Sequence, residues 1–417
     1  MKPDTLADEC CIQEVNSRDQ TTMCAPRIAL VGLGVFSYIN PALASALRKA
    51  FCGYQLDWID VRSLVMRHTG MSMPLLSCGH AVREFATQMG PRLWQLMWRH
   101  HWTTYLFQQR SLSAARQIAQ RRYSFSIQTQ SLFDASVPGL PHFVYTDNTM
   151  LANLQYQKTQ RSDLPVTDEW ISLERQLYQN ARTCFVMSHN VGRSLLEDYE
   201  CDRDKVVCAY GGHNTPIEVT AAKTYDQKNI LFVGVDWERK GGPELLAAFR
   251  LLRKRMPNAK LTIVGCTPGV NEPGCEVIGR VPPSEVGRYY ADASLFCMPS
   301  RREPFGIVFV EAMAHKLPIV ATAVGALPDF VTNEENGFLV SPGDIEGLAD
   351  VLRRLLSNPE LCRKMGERSY AVSHHYTWNN VASIMRNTIQ EFMQPQITPR
   401  SGSWPENHFH DLVQHRR

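Results

Sequence analysis

Two patterns of apolar residues divide the chain. Short runs such as RIALVG, HFVYT, ILFV, LTIV, LFCM and PIVA are apolar almost throughout, the signature of strands buried on both faces of a parallel sheet. Between them lie longer segments, among them PALASALRKAF, GPELLAAFRLLRKRM and IEGLADVLRRLLSN. Their apolar residues recur at three- and four-residue intervals, as in amphipathic helices. The alternation begins at Arg27, pauses at the polar stretch TPIEVTAAKTYDQKN after Asn214, and restarts at Ile230.

Strands alternating with helices twice over predict an α/β fold of two doubly wound, Rossmann-like domains facing each other across a cleft. The first spans 26–214 and the second 215–375; a helix over 376–395 is expected to pack back toward the first domain. The polar segments 1–25 and 396–417 read as a disordered extension and a flexible tail. Within the first domain, residues 90–122 read as a long, helical, aromatic and basic stretch. Its Trp, Leu and Met stripe predicts core packing, with peripheral contact to an anionic membrane as the second reading.

Composition excludes more than it adds. A hydrophobic fraction of 44% and a charged fraction of 20% are those of a soluble globular protein. With a net charge of +3, no whole-molecule field calls for a nucleic-acid partner. Twelve cysteines without CxxC pairs or zinc spacing point to reduced thiols in a cytoplasmic setting. No apolar run reaches the roughly 18 residues that cross a bilayer.

In such folds ligands meet the loops at the carboxyl ends of the strands. After ILFVGV comes DWERKGG, placing Arg239 and Lys240, a planar fork and a compact charge suited to a diphosphate, at that edge. After SLFCMPS comes REPFGIVFVE. There Pro304 and Phe305 lead to a helix starting at Gly306 and Ile307, whose free first-turn amides form an anion site. Glu303 precedes that helix and Glu311 lies inside it; carboxylates only accept hydrogen bonds and so suit sugar and ribose hydroxyls. In the first domain, GLG at Gly32–Gly34 is a tight strand-to-helix turn without the third glycine of a dinucleotide site.

The run EPFGIVFVEAMAHKLPIVAT resembles the E-x7-E signature of retaining GT-B glycosyltransferases, family 4 in the usual sequence classification. The segments FVGVDWERKGG, LTIVG, YADASLFCMPSRREPFG, VGALPDFV and NGFLVSPGD follow in that family's order over 215–375. The resemblance is looser over 26–214, at YTDNTMLANL and FVMSHNVGRSLLEDY.

It implies a UDP- or GDP-sugar donor on the second domain and a hydroxyl acceptor, on a glycan, lipid-linked or small molecule, held largely by the first. No cofactor and no metal are implied. Residue by residue it places Arg239 and Lys240 on the leaving diphosphate, Glu303 on the transferred sugar, Pro304 to Ile307 along the phosphates and Glu311 on the ribose. It also places Val281 at the nucleobase and Gly34 near the phosphates and acceptor.

Three positions depart from the family. Val235 stands where an Arg is usual. Gly325-Ala326-Leu327-Pro328-Asp329 replaces Gly-Gly-x-Pro-Glu. Asp147 and Asn148 stand where relatives place a His facing the reacting carbon, which makes Asp147 a candidate catalytic group. The competing readings are a sugar-nucleotide epimerase or phosphorylase-like enzyme on the same scaffold, and a non-catalytic sugar-nucleotide or glycan-binding protein.

Overall fold

The computed structural model describes residues 25–36, 38–69, 72–89, 99–156, 159–215 and 223–394. Most of the expected extension and tail, and residues 90–98 of the basic aromatic stretch, lie outside them.

The structure contains two six-stranded, all-parallel sheets. The first runs in the order β2 (Gln55–Asp60), β1 (Arg27–Gly32), β3 (Phe125–Thr129), β4 (His142–Thr146), β5 (Thr183–Val186), β6 (Val206–Cys208). The second runs β12 (Gly337–Val340), β11 (Ile319–Thr322), β10 (Leu295–Met298), β7 (Asn229–Val233), β8 (Lys260–Val264), β9 (Cys275–Gly279). Helices cover both faces, and so β3, β4, β10 and β11 are buried at every residue. In each sheet the strand order reverses at one point, between β1 and β3 and between β7 and β10. Crevices open where neighbouring connections run to opposite faces.

Helix starts follow local chemistry. Thr167, Ser188, Asp344 and Thr377 each accept a hydrogen bond from an amide in the first turn that follows. The helix Ile345–Leu356 then buries Leu348, Leu352, Leu355 and Leu356, the stripe its periodicity predicts. The last helix, Trp378–Met393, packs on the first-domain helix Ile39–Ala50, and Phe392 meets the Phe143 ring edge-on at 6.1 Å.

The described part of the stretch 90–122 is helical with one break: a short turn at His100–Trp102 ends at Thr103, and a helix starts at Thr104 and runs to Ala119. Thr103 caps it, its hydroxyl accepting from Leu106 N at 3.2 Å. Phe107 and Leu106 are buried, Trp102 and Phe107 abut Trp170 at 5.8 and 5.6 Å, and Tyr105 stacks on His80 at 4.1 Å. The described aromatic residues of this stretch therefore serve internal packing.

Candidate active site

The second-domain edge is built where β7 and β10 end, at the strand-order reversal. The loop after β7 carries Arg239 and Lys240; the loop after β10 carries Glu303. Backbone bonds join the two loops: Arg301 N donates to Arg239 O at 2.9 Å, and the Arg239 guanidinium to Arg302 O at 3.1 Å. Lys240 Nζ then reaches Glu303 Oε2 at 2.5 Å, and Ser300 Oγ donates to the same oxygen at 3.0 Å. Both charges are withdrawn from water, with 9% of Lys240 and 3% of Glu303 exposed. Burial pushes the Lys240 ammonium below its usual pKa, while Glu303 opposes that shift. Arg239 also holds Asp236, its Nε donating to Oδ2 at 3.1 Å.

Gly306 begins the helix Ile307–Ala314 and offers no side-chain cap; the Phe309 amide turns back to the Gly306 carbonyl at 3.0 Å, which leaves the Ile307 and Val308 amides for solvent or ligand. Pro304 lines the cleft. Phe305 is buried; it meets Phe330 at 5.9 Å and packs so tightly on Gly211 that a Cβ there would lie 2.7 Å from its ring. Its side chain is therefore an interdomain wedge.

Glu311, one turn further on, has different partners from Glu303. It accepts from Asn214 N at 3.3 Å and from the Tyr290 hydroxyl at 3.0 Å. It is held at the linker between the domains, and burial raises its pKa. Val281 follows β9 and is half-buried against the core. Gly34 lies across the cleft at the end of β1, its amide bonded to Asp60 at 3.0 Å and its carbonyl to Asn40 Nδ2 at 2.7 Å.

On the first-domain side lies a cavity of about 690 Å³, which Arg301, Arg302 and Pro304 close from the second domain. Asp147 and Asn148, just past β4, form part of its wall. Burial raises the Asp147 carboxyl to about 6, and the negative charge of Glu303 contributes in the same direction. The Asn148 Oδ1 is buried without a hydrogen-bond partner among the described residues.

One residue that sequence reading missed completes this wall, and a second lies where the domains meet. Glu174 is fully buried and accepts from the Ser131, Tyr178 and Tyr199 hydroxyls and the Met150 amide. Burial raises its carboxyl to about 7 against the pull of those donors. Its signal was present: Glu174 lies on the apolar face of its helix with Trp170, Ile171, Leu177 and Tyr178. Tyr156 went unnoticed because it acts across domains, its hydroxyl 2.9 Å from where a Cβ on Gly325 would stand.

The model of the family "Glycosyl transferases group 1" matches residues 217–372, the whole second-domain edge described above. A D-inositol 3-phosphate glycosyltransferase of Corynebacterium aurimucosum is 29% identical over 61% of this chain and 67% of its own. Among the curated relatives compared, the share of their own length that this chain covers runs from 31% to 70%. Among solved structures, sucrose-phosphate synthase of Thermosynechococcus elongatus superposes with a TM-score of 0.63 at 19% identity, over 88% of this chain and 99% of its own. Anabaena HepE, solved in complex with UDP, superposes with a TM-score of 0.61 at 13% identity, over 88% and 100%. Residues 217–372 are therefore similar to group 1 glycosyltransferases, and the two facing Rossmann-like domains share the GT-B fold of these solved structures.

Proposed function

We propose that the protein transfers a hexosyl group from a nucleotide-diphosphate sugar to an acceptor hydroxyl with retention of anomeric configuration, as a member of family 4. The observation that carries this reading is the buried Lys240–Glu303 pair beside the helix start at Gly306. A cation, a carboxylate and an uncapped helix start lie together at one strand-order reversal, which supports a site for a diphosphate and a sugar hydroxyl. The UDP in the HepE complex and the D-inositol 3-phosphate in the relative's name favour a UDP-sugar donor and a cyclitol- or sugar-like acceptor, with GDP-sugars as the second donor class.

In this mechanism the bond from the anomeric carbon to the diphosphate breaks while the acceptor oxygen attacks from the same face. The acceptor's proton passes to a departing phosphate oxygen. Lys240, Arg239 and the amides at Gly306 and Ile307 stabilise the leaving charge; Glu303 holds a sugar hydroxyl, and Asp147 faces the reacting carbon and acceptor. Glu311 takes the ribose, exchanging one of its present donors for a ribose hydroxyl, and Val281 borders the base. The backbone of Pro304, Phe305 and the Gly34 loop lines the phosphate path. The reaction needs no resident cofactor or metal, so EDTA leaves the rate unchanged; a rate lost to EDTA and restored by Mg²⁺ rejects this part.

The test is incubation of the full-length protein with UDP-glucose, UDP-N-acetylglucosamine and GDP-mannose against a panel of polyols, with product configuration read by NMR. Retention is expected; an inverted product rejects the mechanism, and no turnover with any donor rejects the activity.

Contact with an anionic membrane moves, on this reading, from 90–122 to the preceding helices Val61–Thr69 and Ser72–Met89. Met66, Leu75, Leu76 and Val82 are exposed there beside Arg62, Arg67 and Arg83. Flotation with phosphatidylglycerol vesicles but not phosphatidylcholine vesicles is expected, and equal behaviour with both rejects it.

A further inference from the structure

We propose that Asn148 binds a hydroxyl of the acceptor through its amide oxygen, and that Asn153 is a positioning residue that fixes the amide in that orientation. The inference rests on the glycosyl-transfer reading and assigns roles within it to two residues of the first-domain wall.

The orientation follows from the donors and acceptors around the two side chains. Asn153 Nδ2 lies 3.2 Å from the Thr149 carbonyl oxygen and 3.0 Å from that of Met150. Carbonyls only accept, so the Asn153 nitrogen is fixed on that side and its Oδ1 faces the other way. Asn148 meets that oxygen with its own amide nitrogen, Nδ2 donating to Asn153 Oδ1 at 3.4 Å. Turning the Asn148 amide over would set two acceptor oxygens against each other. Asn148 Oδ1 is therefore the far end of the pair, buried and without a partner among the described residues. Both side chains line the cavity, and a substrate hydroxyl there supplies the missing donor.

The backbone under both residues is held from behind. Met150 N lies 3.3 Å from each Glu174 oxygen, and Leu151 N donates to the Tyr199 hydroxyl at 3.2 Å. The Thr149 hydroxyl shares a hydrogen bond with Ser194 at 2.7 Å and accepts from Ala152 N at 3.0 Å. The Thr146 hydroxyl donates to the Asn148 carbonyl at 2.7 Å. With the Thr149 and Met150 carbonyls fixed, one orientation of Asn153 serves both, and one orientation of Asn148 serves Asn153. The substrate hydroxyl is assigned to the acceptor because first-domain residues form most of the cavity wall, while the proposed donor contacts lie mainly on the second domain.

The experiment compares full-length wild type with Asn148→Leu, with Asn153→Leu, and with Asn153→Leu combined with Asn148→Asp. UDP-glucose, UDP-N-acetylglucosamine and GDP-mannose serve as donors, and myo-inositol and methyl α-glucopyranoside as acceptors. KM for each substrate and kcat are measured on the fastest pair, with urea unfolding followed on the same preparations. Asn148→Leu removes the accepting oxygen, and Asn153→Leu frees the Asn148 amide to turn. Each is expected to raise the acceptor KM about tenfold while the donor KM stays unchanged. A carboxylate presents an oxygen whichever way it turns, so Asn148→Asp should repair most of the loss caused by Asn153→Leu. A merely structural role of Asn153 would not be repaired in this way.

An acceptor KM unchanged in Asn148→Leu, or a loss that falls on the donor KM instead, overturns the contact. An acceptor KM unchanged in Asn153→Leu, or a loss there that Asn148→Asp does not repair, overturns the positioning role. All of these outcomes leave glycosyl transfer standing. No turnover by the wild type with any pair rejects the transfer reading itself, and the inference falls with it.

Discussion

The two facing sheet edges solve the same problem in opposite ways. The second-domain edge is assembled from two short loops that lie against each other, and its charged pair is buried and already bonded. The first-domain edge is open: its walls come from the ends of β3 and β4, a turn at Trp102 and a helix reaching in with Glu174, and one of its buried acceptors, Asn148 Oδ1, has no donor among the described residues. On the proposed reading, one edge is preorganised for a group of constant shape, the diphosphate and its sugar. The other presents unmet hydrogen-bonding capacity whose partner has to come from a ligand.

The largest break in that comparison comes from the buried pair. Lys240→Met or Glu303→Gln is expected to lower transfer on the order of 10²- to 10³-fold, by removing charge aimed at the transition state. Each single variant also leaves its partner buried and unpaired, at a cost of about 3 kcal/mol or more. The double variant should recover most of that stability while activity stays lost, with unfolding in urea and turnover measured on the same preparations. Full activity in either single variant would remove the pair from the site. If the double variant is no more stable than the singles, the pair is not an electrostatic unit.

This asymmetry also explains what could be read from the sequence. The double alternation of strand and helix was legible because parallel strands buried on both faces are apolar runs, and the two sheets follow from it. The Arg239–Lys240 loop and the Glu303–Glu311 segment were legible because each is local, a few residues between a strand end and a helix start. The cavity was not: Trp102, Gln130, Asp147, Glu174 and Arg302 come together only by folding, and no short-range pattern links them. Glu311 shows the intermediate case. Its place on the helix could be read, but its bonds to Asn214 and Tyr290 depend on a linker and another helix.

A sharper comparison uses two glycines with nearly the same backbone. Gly325 has φ +55° and Gly34 has φ +57°, both left-handed and strained for any other residue by about 1–2 kcal/mol. A Cβ on Gly325 would stand 1.9 Å from the Glu303 carbonyl oxygen, whereas one on Gly34 meets nothing within 4 Å. Gly34→Ala should therefore cost about 1–2 kcal/mol. Gly325→Ala should cost several kcal/mol and displace Glu303, lowering activity as well. Equal losses of stability in the two variants would mean that the loop under Glu303 yields as easily as the open one.

The smallest effect expected is at the point where the two edges touch. Asp329, which stands where the family pattern has Glu, accepts from the His189 amide at 2.7 Å and lies 3.4 Å from its Nδ1, tying the start of the helix His189–Glu197 to the second domain. The hydrogen bond to Asp329 raises the His189 pKa, while burial and Arg193 work against it. A raised histidine pKa stabilises the folded form fully below the ordinary imidazole value of about 6.5, and the contribution is lost as pH rises through the higher folded value. Because His189 is 43% exposed, solvent screens the pair, and its contribution is under about 1 kcal/mol. Wild type should exceed His189→Ala in stability by more at pH 5.5 than at pH 8.5, measured by urea unfolding. A difference that does not change with pH leaves only the amide bond to Asp329 joining the edges at this point. A difference that grows toward high pH has the wrong sign for an ion pair and removes it from the contact.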